Sequence, residues 1–295
     1  RHELLAVGET PNIAARVQSA AAPNTVMVSA STQRLVHGYF TFGEPSTFEL
    51  KGISQPMVLY QVLGETGARG RLDISPAIAL TPFVDRHVEL DFLLQRWSDT
   101  QPGQRALVLL GGEAGIGKSR LLRVMRQRLE SEGAQVLEGY CSPLFSSTAL
   151  HPIVDMFERQ LALGSDLSDA DKLQRLEGEL ARIELAPALP LMAALLSIQL
   201  PDHYERRSPQ SPQKERQATF DALASWLLLG SQSQPLLIAL EDVHWADPST
   251  LELIGQLLER ASPRRIMLLL TRRPEFVPPW THSDIVELAV PRLPA

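Results

Sequence analysis

Gly112-Glu-Ala-Gly-Ile-Gly-Lys-Ser119 decides how this chain folds, because of what stands on either side of it. The apolar run Ala106 to Leu110 precedes the stretch, and apolar residues recur at helical spacing from Lys118 to Glu132 behind it. Strand, glycine-rich loop and helix in that order form an anion cradle. Glycine lets the backbone wrap with its N–H groups inward, and the helix presents its positive end to the same point. In such a cradle the backbone of Gly112, Glu113, Ala114, Gly115, Ile116 and Gly117 surrounds the phosphates of a nucleoside triphosphate. Lys118 reaches the β- and γ-phosphates and Ser119 ligates magnesium. The competing reading is a glycine-rich turn that fits the pattern by accident.

Two more short, wholly apolar runs, Leu236 to Leu240 and Ile266 to Leu270, read as strands buried on both faces of a parallel sheet. Helical periodicity covers Arg86 to Ser98, Leu150 to Leu163, Asp169 to Ile183 and Gln213 to Leu229, and Gly133 reads as a helix C-cap. Residues 81–295 are therefore expected to form an α/β P-loop domain, its sheet flanked by helices. Asp202 to Pro212, polar and punctuated by proline, reads as a surface loop. Glu241 and Asp242 stand at the carboxyl end of one buried strand, where such folds manage metal and water. On that reading Glu241 holds magnesium, directly or through water, and Asp242 polarises the attacking water; otherwise the pair is a solvated strand end. Thr271-Arg-Arg-Pro274 follows the third run. It places Thr271 near the γ-phosphate and Arg273 in a sensing role, or else is only a basic strand terminus.

Residues 1–63 read differently, as short adjacent elements. Glu3 to Val7 is a strand, and Pro11 to Ala21 is a helix with Thr10 as N-cap and Pro11 at its first position. Thr25 to Ser29 is a strand, Ala30 to Val36 a short helix, and two strands fit Tyr39 to Leu50 and Met57 to Leu63. Residues 64–80, with several glycines and no apolar period, read as a linker. Asn12 and Arg16 are four apart on the predicted helix and so share a face near its positive end, where an amide and a guanidinium suit an anion. The bland alternative is a capped surface helix.

Against 28 Lys and Arg stand 34 Asp and Glu, a net charge of -6, which gives no overall attraction to nucleic acid or an anionic membrane. Cys141 is the one cysteine, so an intrachain disulfide and a cysteine-based zinc cluster are both excluded, and a cytoplasmic setting is expected. No apolar run approaches the roughly 20 residues needed to cross a bilayer. No leader pattern is found, and a chain beginning at Arg1 reads as a fragment.

Taken together, Phe83-Val-Asp-Arg86 with Glu89-Leu90, the P-loop, Glu241-Asp-Val-His-Trp-Ala-Asp247 and Thr271-Arg-Arg-Pro274 resemble the ATPase domain of the STAND class, signalling relatives of the AAA ATPases. The departures are Asp85, where that family usually has glycine, and Glu241, where Asp is common. The resemblance implies a nucleotide-dependent switch with slow hydrolysis of ATP in the presence of Mg2+; the sensor and downstream partners are not specified. Val7-Gly-Glu-Thr-Pro-Asn12-Ile-Ala-Ala-Arg16, Val26-Met-Val-Ser29, Leu50-Lys51-Gly52 and Tyr60-Gln-Val62 resemble the closing half of a class III adenylate or guanylate cyclase domain, a partial ferredoxin-like unit. That resemblance implies that Asn12 orients the ribose, Arg16 stabilises the α-phosphate transition state and Lys51 contacts the terminal phosphates. It also implies a homodimer sharing the cyclase site. The family's metal-binding aspartates belong upstream, so this stretch alone completes no cyclase site. Leu5 stands where a base-reading polar residue is often found, which leaves adenine or guanine preference open. The leading expectation is a cyclase coupled to an ATPase switch. Its alternatives are an ATP-dependent transcriptional regulator with a cyclase-like scaffold, and a P-loop ATPase with an unrelated front domain.

Overall fold

Thr10 and Pro11 lie inside the first turn of helix α1 (Glu9–Ala20), not at its boundary, because the helix opens two residues earlier than its sequence signals suggest. Proline is tolerated there, since none of the first four N–H groups of a helix has an intrahelical partner. The structure is a computed structural model that describes residues 9–53, 55–66, 85–100, 104–164, 167–201, 204, 211–229, 234–260, 265–281 and 285–292. The predicted strand Glu3 to Val7 falls outside them. The chain divides into two compact units, Arg1–Pro82 and Phe83–Ala295.

In the first unit, β1 (Val26–Ser29) leads directly into α2 (Ala30–Val36), whose N-cap is Ser29. The single strand expected between Tyr39 and Leu50 is two, β2 (Phe40–Phe42) and β3 (Ser46–Phe48), separated at residues 43–45, where Pro45 has no N–H to give the ladder. Both pair antiparallel with β4 (Met57–Glu65), which has β1 on its other side. Strand β4 runs two residues past Leu63, so the first residues of the expected linker belong to the sheet. Val17, Leu50 and Leu59 form the buried core between α1 and the sheet.

The second unit begins with α3 (His87–Asp99), β5 (Arg105–Gly111), α4 (Lys118–Ser131) and β6 (Gln135–Tyr140). Helices α5 (His151–Gln160), α6 (Asp169–Arg182), α7 (Leu189–Leu195) and α8 (Pro212–Leu229) follow. Then come β7 (Leu236–Glu241), α9 (Pro248–Glu259), β8 (Ile266–Arg272) and β9 (Ile285–Ala289). Among the described residues the sheet is wholly parallel, in the order β6-β7-β8-β5-β9. The apolar runs are continuous because each strand buries both faces. Leu107 and Leu109, Leu236, Ile238 and Leu240, and Ile266, Leu268 and Leu270 pack in one core with residues of α5 to α9. The intervening Val108 and Leu110, Leu237 and Ala239, and Met267 and Leu269 pack in the other, against α3 and α4.

Several boundaries differ from expectation. Helix α5 is shorter than Leu150 to Leu163, because Leu150 takes a left-handed φ of 60° and the chain turns again after Gln160. Pro212, expected in a loop, opens α8, where a proline costs nothing; residues 202, 203 and 205–210 lie outside the described set. Gly133 follows the end of α4 at φ 82°, as a C-cap glycine does. Strands β6 and β9 and helix α7 carried no clear sequence signal, and α9 (Pro248–Glu259) was not predicted. Both strands are sheet edges with polar residues such as Glu138 and Glu287, which interrupt an apolar run.

Candidate nucleotide site

Parallel strands end on one side of a sheet, and that geometry gathers the site. Gly111 pairs with Arg272, and Leu240 with Leu270, so the segments after β5, β7 and β8 leave the sheet side by side. Gly112 N–H donates to the Arg272 carbonyl (3.3 Å) and Val290 N–H to the Gly111 carbonyl (2.8 Å), tying the loop's root to both neighbouring strands. The loop from Glu113 to Gly115 is exposed, while Lys118 is buried to 7% exposure. Gly115 and Gly117 have φ of 75° and 108°, and Gly117 is the N-cap of α4. At those angles a side chain would be strained, which is why glycine stands at both positions.

Two features test whether this loop fits a triphosphate. A Cβ on Gly112 would meet Ile116 Cγ2 at 2.9 Å and the Val290 carbonyl at 3.3 Å, so the loop closes only with glycine there. Lys118 Nζ donates to the carbonyl oxygens of Gly112 (2.7 Å) and Glu113 (2.9 Å), which places an ammonium group inside the loop's curve. Burial chiefly, and Arg273 as well, hold its pKa below the ordinary lysine value, while Asp242 and Glu241 oppose the shift. A cation partly stripped of water and held by two neutral carbonyls suits an incoming anion. The residues fit the group.

The Ser119 hydroxyl hydrogen-bonds to Glu241 Oε2, joining the start of α4 to the end of β7. A hydroxyl and a carboxylate side by side form an oxygen ligand set of the kind Mg2+ takes. Asp242 follows at φ 55°, with 49% of its side chain exposed. Its N–H donates to the hydroxyl of buried Thr271 (2.8 Å), so β8 positions the turn that carries it. Arg273 lies with its guanidinium 5.9 Å from the centroid of the Trp245 ring. Its neighbour Arg272 instead bonds the carbonyls of Arg273, Pro274 and Phe276, and Glu287.

Several contributors escaped the residue-by-residue reading. Arg86 is buried and bonds Glu89 (2.7 Å), the Ile116 carbonyl (3.3 Å) and the Pro291 carbonyl (2.6 Å), lashing the P-loop to the segment after β9. Arg292 pairs with Glu113 at 2.6 Å. Glu113, Ile116, Arg272 and residues 287–292 line a cavity of about 570 Å3 beside the loop. Asp247, buried to 3%, accepts from the N–H groups of Ser249, Thr250 and Leu150 and from the Thr250 hydroxyl. An aspartate directly before Pro248 was a legible N-cap signal.

In the first unit Asn12 and Arg16 are both exposed on α1, and Lys51 is exposed in the turn after β3. Among the described residues, no hydrogen bond or ion pair joins these three.

Fold and site together define a P-loop nucleotide-binding unit. The chain belongs to the AAA ATPase domain family, whose family model matches residues 82–270. The model of the adenylate and guanylate cyclase catalytic domain matches residues 5–64, so a cyclase segment precedes the ATPase domain. An uncharacterized protein of Rhizobium meliloti (strain 1021) is 29% identical over 276 residues, which cover 92% of this chain and 26% of that protein. The chain thus spans about a quarter of the length of that curated relative. Among solved structures, one of Drosophila ORC bound to DNA is similar at 16% identity with a TM-score of 0.37, over 70% of this chain and 43% of that one. Cdc6p from Pyrobaculum aerophilum is similar at 15% identity with a TM-score of 0.37, over 72% and 47%. No helix among the described residues is long and apolar enough to cross a membrane.

Proposed function

We propose that this chain is the nucleotide-binding core of a signalling protein, in which a STAND-type ATPase switch follows the closing segment of a class III nucleotide cyclase. The observation that carries the reading is the convergence of Lys118, Ser119 and Glu241 at one end of the sheet. ATP binds with its phosphates along Gly112 to Ser119. Lys118 leaves its two carbonyl partners for the β- and γ-phosphates. Ser119 and Glu241 would hold Mg2+, which would supply charge neutralisation on the phosphate oxygens. Asp242 polarises the attacking water, and Thr271 and Arg273 face the γ-phosphate. ATP and Mg2+ make the cytoplasm the expected compartment.

In the cyclase segment Asn12, Arg16 and Lys51 retain the ribose and phosphate roles that their sequence context implies. Their exposure supports a site shared between two subunits of the intact protein, because each group is free to meet a nucleotide held partly by a partner.

The test is a pair of variants read by calorimetry and by phosphate release. Lys118→Ala weakens ATP binding about 100-fold, through loss of a charge-assisted contact. Asp242→Asn keeps the affinity and loses about 100-fold in turnover. Unchanged affinity in the first variant overturns the cradle, and unchanged turnover in the second removes Asp242 from the chemistry.

A further inference from the structure

His244 is the middle residue of the 3-10 turn Val243–Trp245 that follows β7. Its side chain is 10% exposed, and both ring nitrogens are buried without a hydrogen-bond partner. Such a ring has surrendered water and received nothing, a state that folded proteins avoid unless a partner arrives later. The charged groups acting on it are Asp242, Arg273, Lys118 and Glu275, and all four act on Lys118 or are Lys118 itself. Burial first, and then the cations Arg273 and Lys118, hold its pKa below the ordinary histidine value, against Asp242 and Glu275. A neutral imidazole has one N–H to give.

A carboxylate acceptor lies close by. Nδ1 stands 3.9 Å from Asp242 Oδ1, about 0.7 Å beyond hydrogen-bond reach. Asp242 itself occupies a left-handed backbone conformation that a non-glycine residue adopts at a cost, and such positions cluster at functional sites. The ring has little freedom to move. It packs against Trp245 with centroids 5.2 Å apart, and Arg273 lies over that tryptophan. The half-exposed carboxylate is the less tightly packed member of the pair.

We infer that His244 is a positioning residue for Asp242: once Lys118 turns from the Gly112 and Glu113 carbonyls to the phosphates, His244 Nδ1–H donates to the Asp242 carboxylate and holds it toward the attacking water. The inference rests on the reading of Asp242 as the water-polarising group. In this structure the two atoms are 3.9 Å apart and the bond is open. Closing it links occupancy of the cradle to readiness for hydrolysis.

The experiment uses the 295-residue chain with His244→Ala, His244→Asn and His244→Gln, measuring ATP affinity, kcat and histidine 15N resonances with Mg2+ and a non-hydrolysable ATP analogue. His244→Ala is expected to lower kcat about 10- to 100-fold with affinity within about threefold of wild type. Asn, whose amide nitrogen overlays Nδ1, restores most of the turnover; Gln, whose amide overlays Nε2, does not. In the wild type the Nδ1 resonance moves to a hydrogen-bonded donor position on loading, and in Asp242→Ala it stays. Wild-type kcat in His244→Ala, or rescue by Gln and not by Asn, overturns the inference. Where the Ala variant fails to fold, the Asn and Gln pair decides. Turnover with an unmoved Nδ1 resonance overturns the latch alone, whereas a moved resonance without turnover supports the latch and overturns the hydrolytic reading of Asp242. A chain that binds no nucleotide overturns both.

Discussion

Burial acts on single residues here to opposite ends. Lys118 is partly desolvated yet meets two carbonyl oxygens, so its charge is kept and made available. His244 is desolvated without partners, so the neutral ring is favoured. The second case has a consequence for pH. An unfolded histidine titrates near about 6.5 and the folded ring at a lower value. As pH falls through that interval the unfolded chain takes up a proton that the fold refuses, and stability is lost. Denaturant unfolding at pH 7 and at pH 5 should therefore show a smaller acid loss in His244→Asn than in the wild type. Equal losses would mean that the ring is protonated in the fold.

At the scale of elements, the sheet positions the site through its register and Asp247 holds two connections together. Asp247 caps α9 and at the same time accepts the Leu150 N–H, which fixes the end of the β6 to α5 connection 97 positions away in sequence. Replacing it with alanine removes a cap and leaves a buried amide unsatisfied. The two losses together should destabilise the chain by roughly 2–4 kcal/mol. Urea unfolding monitored by circular dichroism measures this, and a change below the cost of the cap alone would show that water replaces the Leu150 contact. Because Thr271 bonds the Asp242 amide, β8 has a similar role for the β7 turn. The carboxylate of Asp242 is therefore presented from a backbone anchored on a neighbouring strand.

At the scale of the whole molecule, every group assigned to the ATP cradle lies in the unit Phe83–Ala295. A polypeptide of residues 83–295 should then bind ATP within about threefold of the 295-residue chain, a difference of less than the 1.4 kcal/mol that makes a factor of ten. Loss of binding in calorimetry would mean that the cyclase segment contributes to the cradle. The family match over residues 82–270 and the cyclase match over 5–64 agree with a chain made of two kinds of nucleotide machinery.

The strand, the glycine loop, the helix behind it and the acidic end of β7 were all legible from residue types at fixed local spacing, because glycine freedom, apolar runs and helical periodicity are properties of contiguous residues. The edge strands β6 and β9 were not, since an edge has too few covered faces to impose an apolar pattern. The Tyr39 to Leu50 segment broke in two because a ladder tolerates Pro45 poorly. What only the tertiary structure decided are the meetings of distant residues: Ser119 with Glu241 across 122 positions, Arg86 with Pro291 across 205, and His244 buried beside Asp242 with no partner. They depend on which parallel strands become neighbours and on what their helices cover. Pairing order and burial are settled by packing across the whole domain, and local spacing carries no record of them.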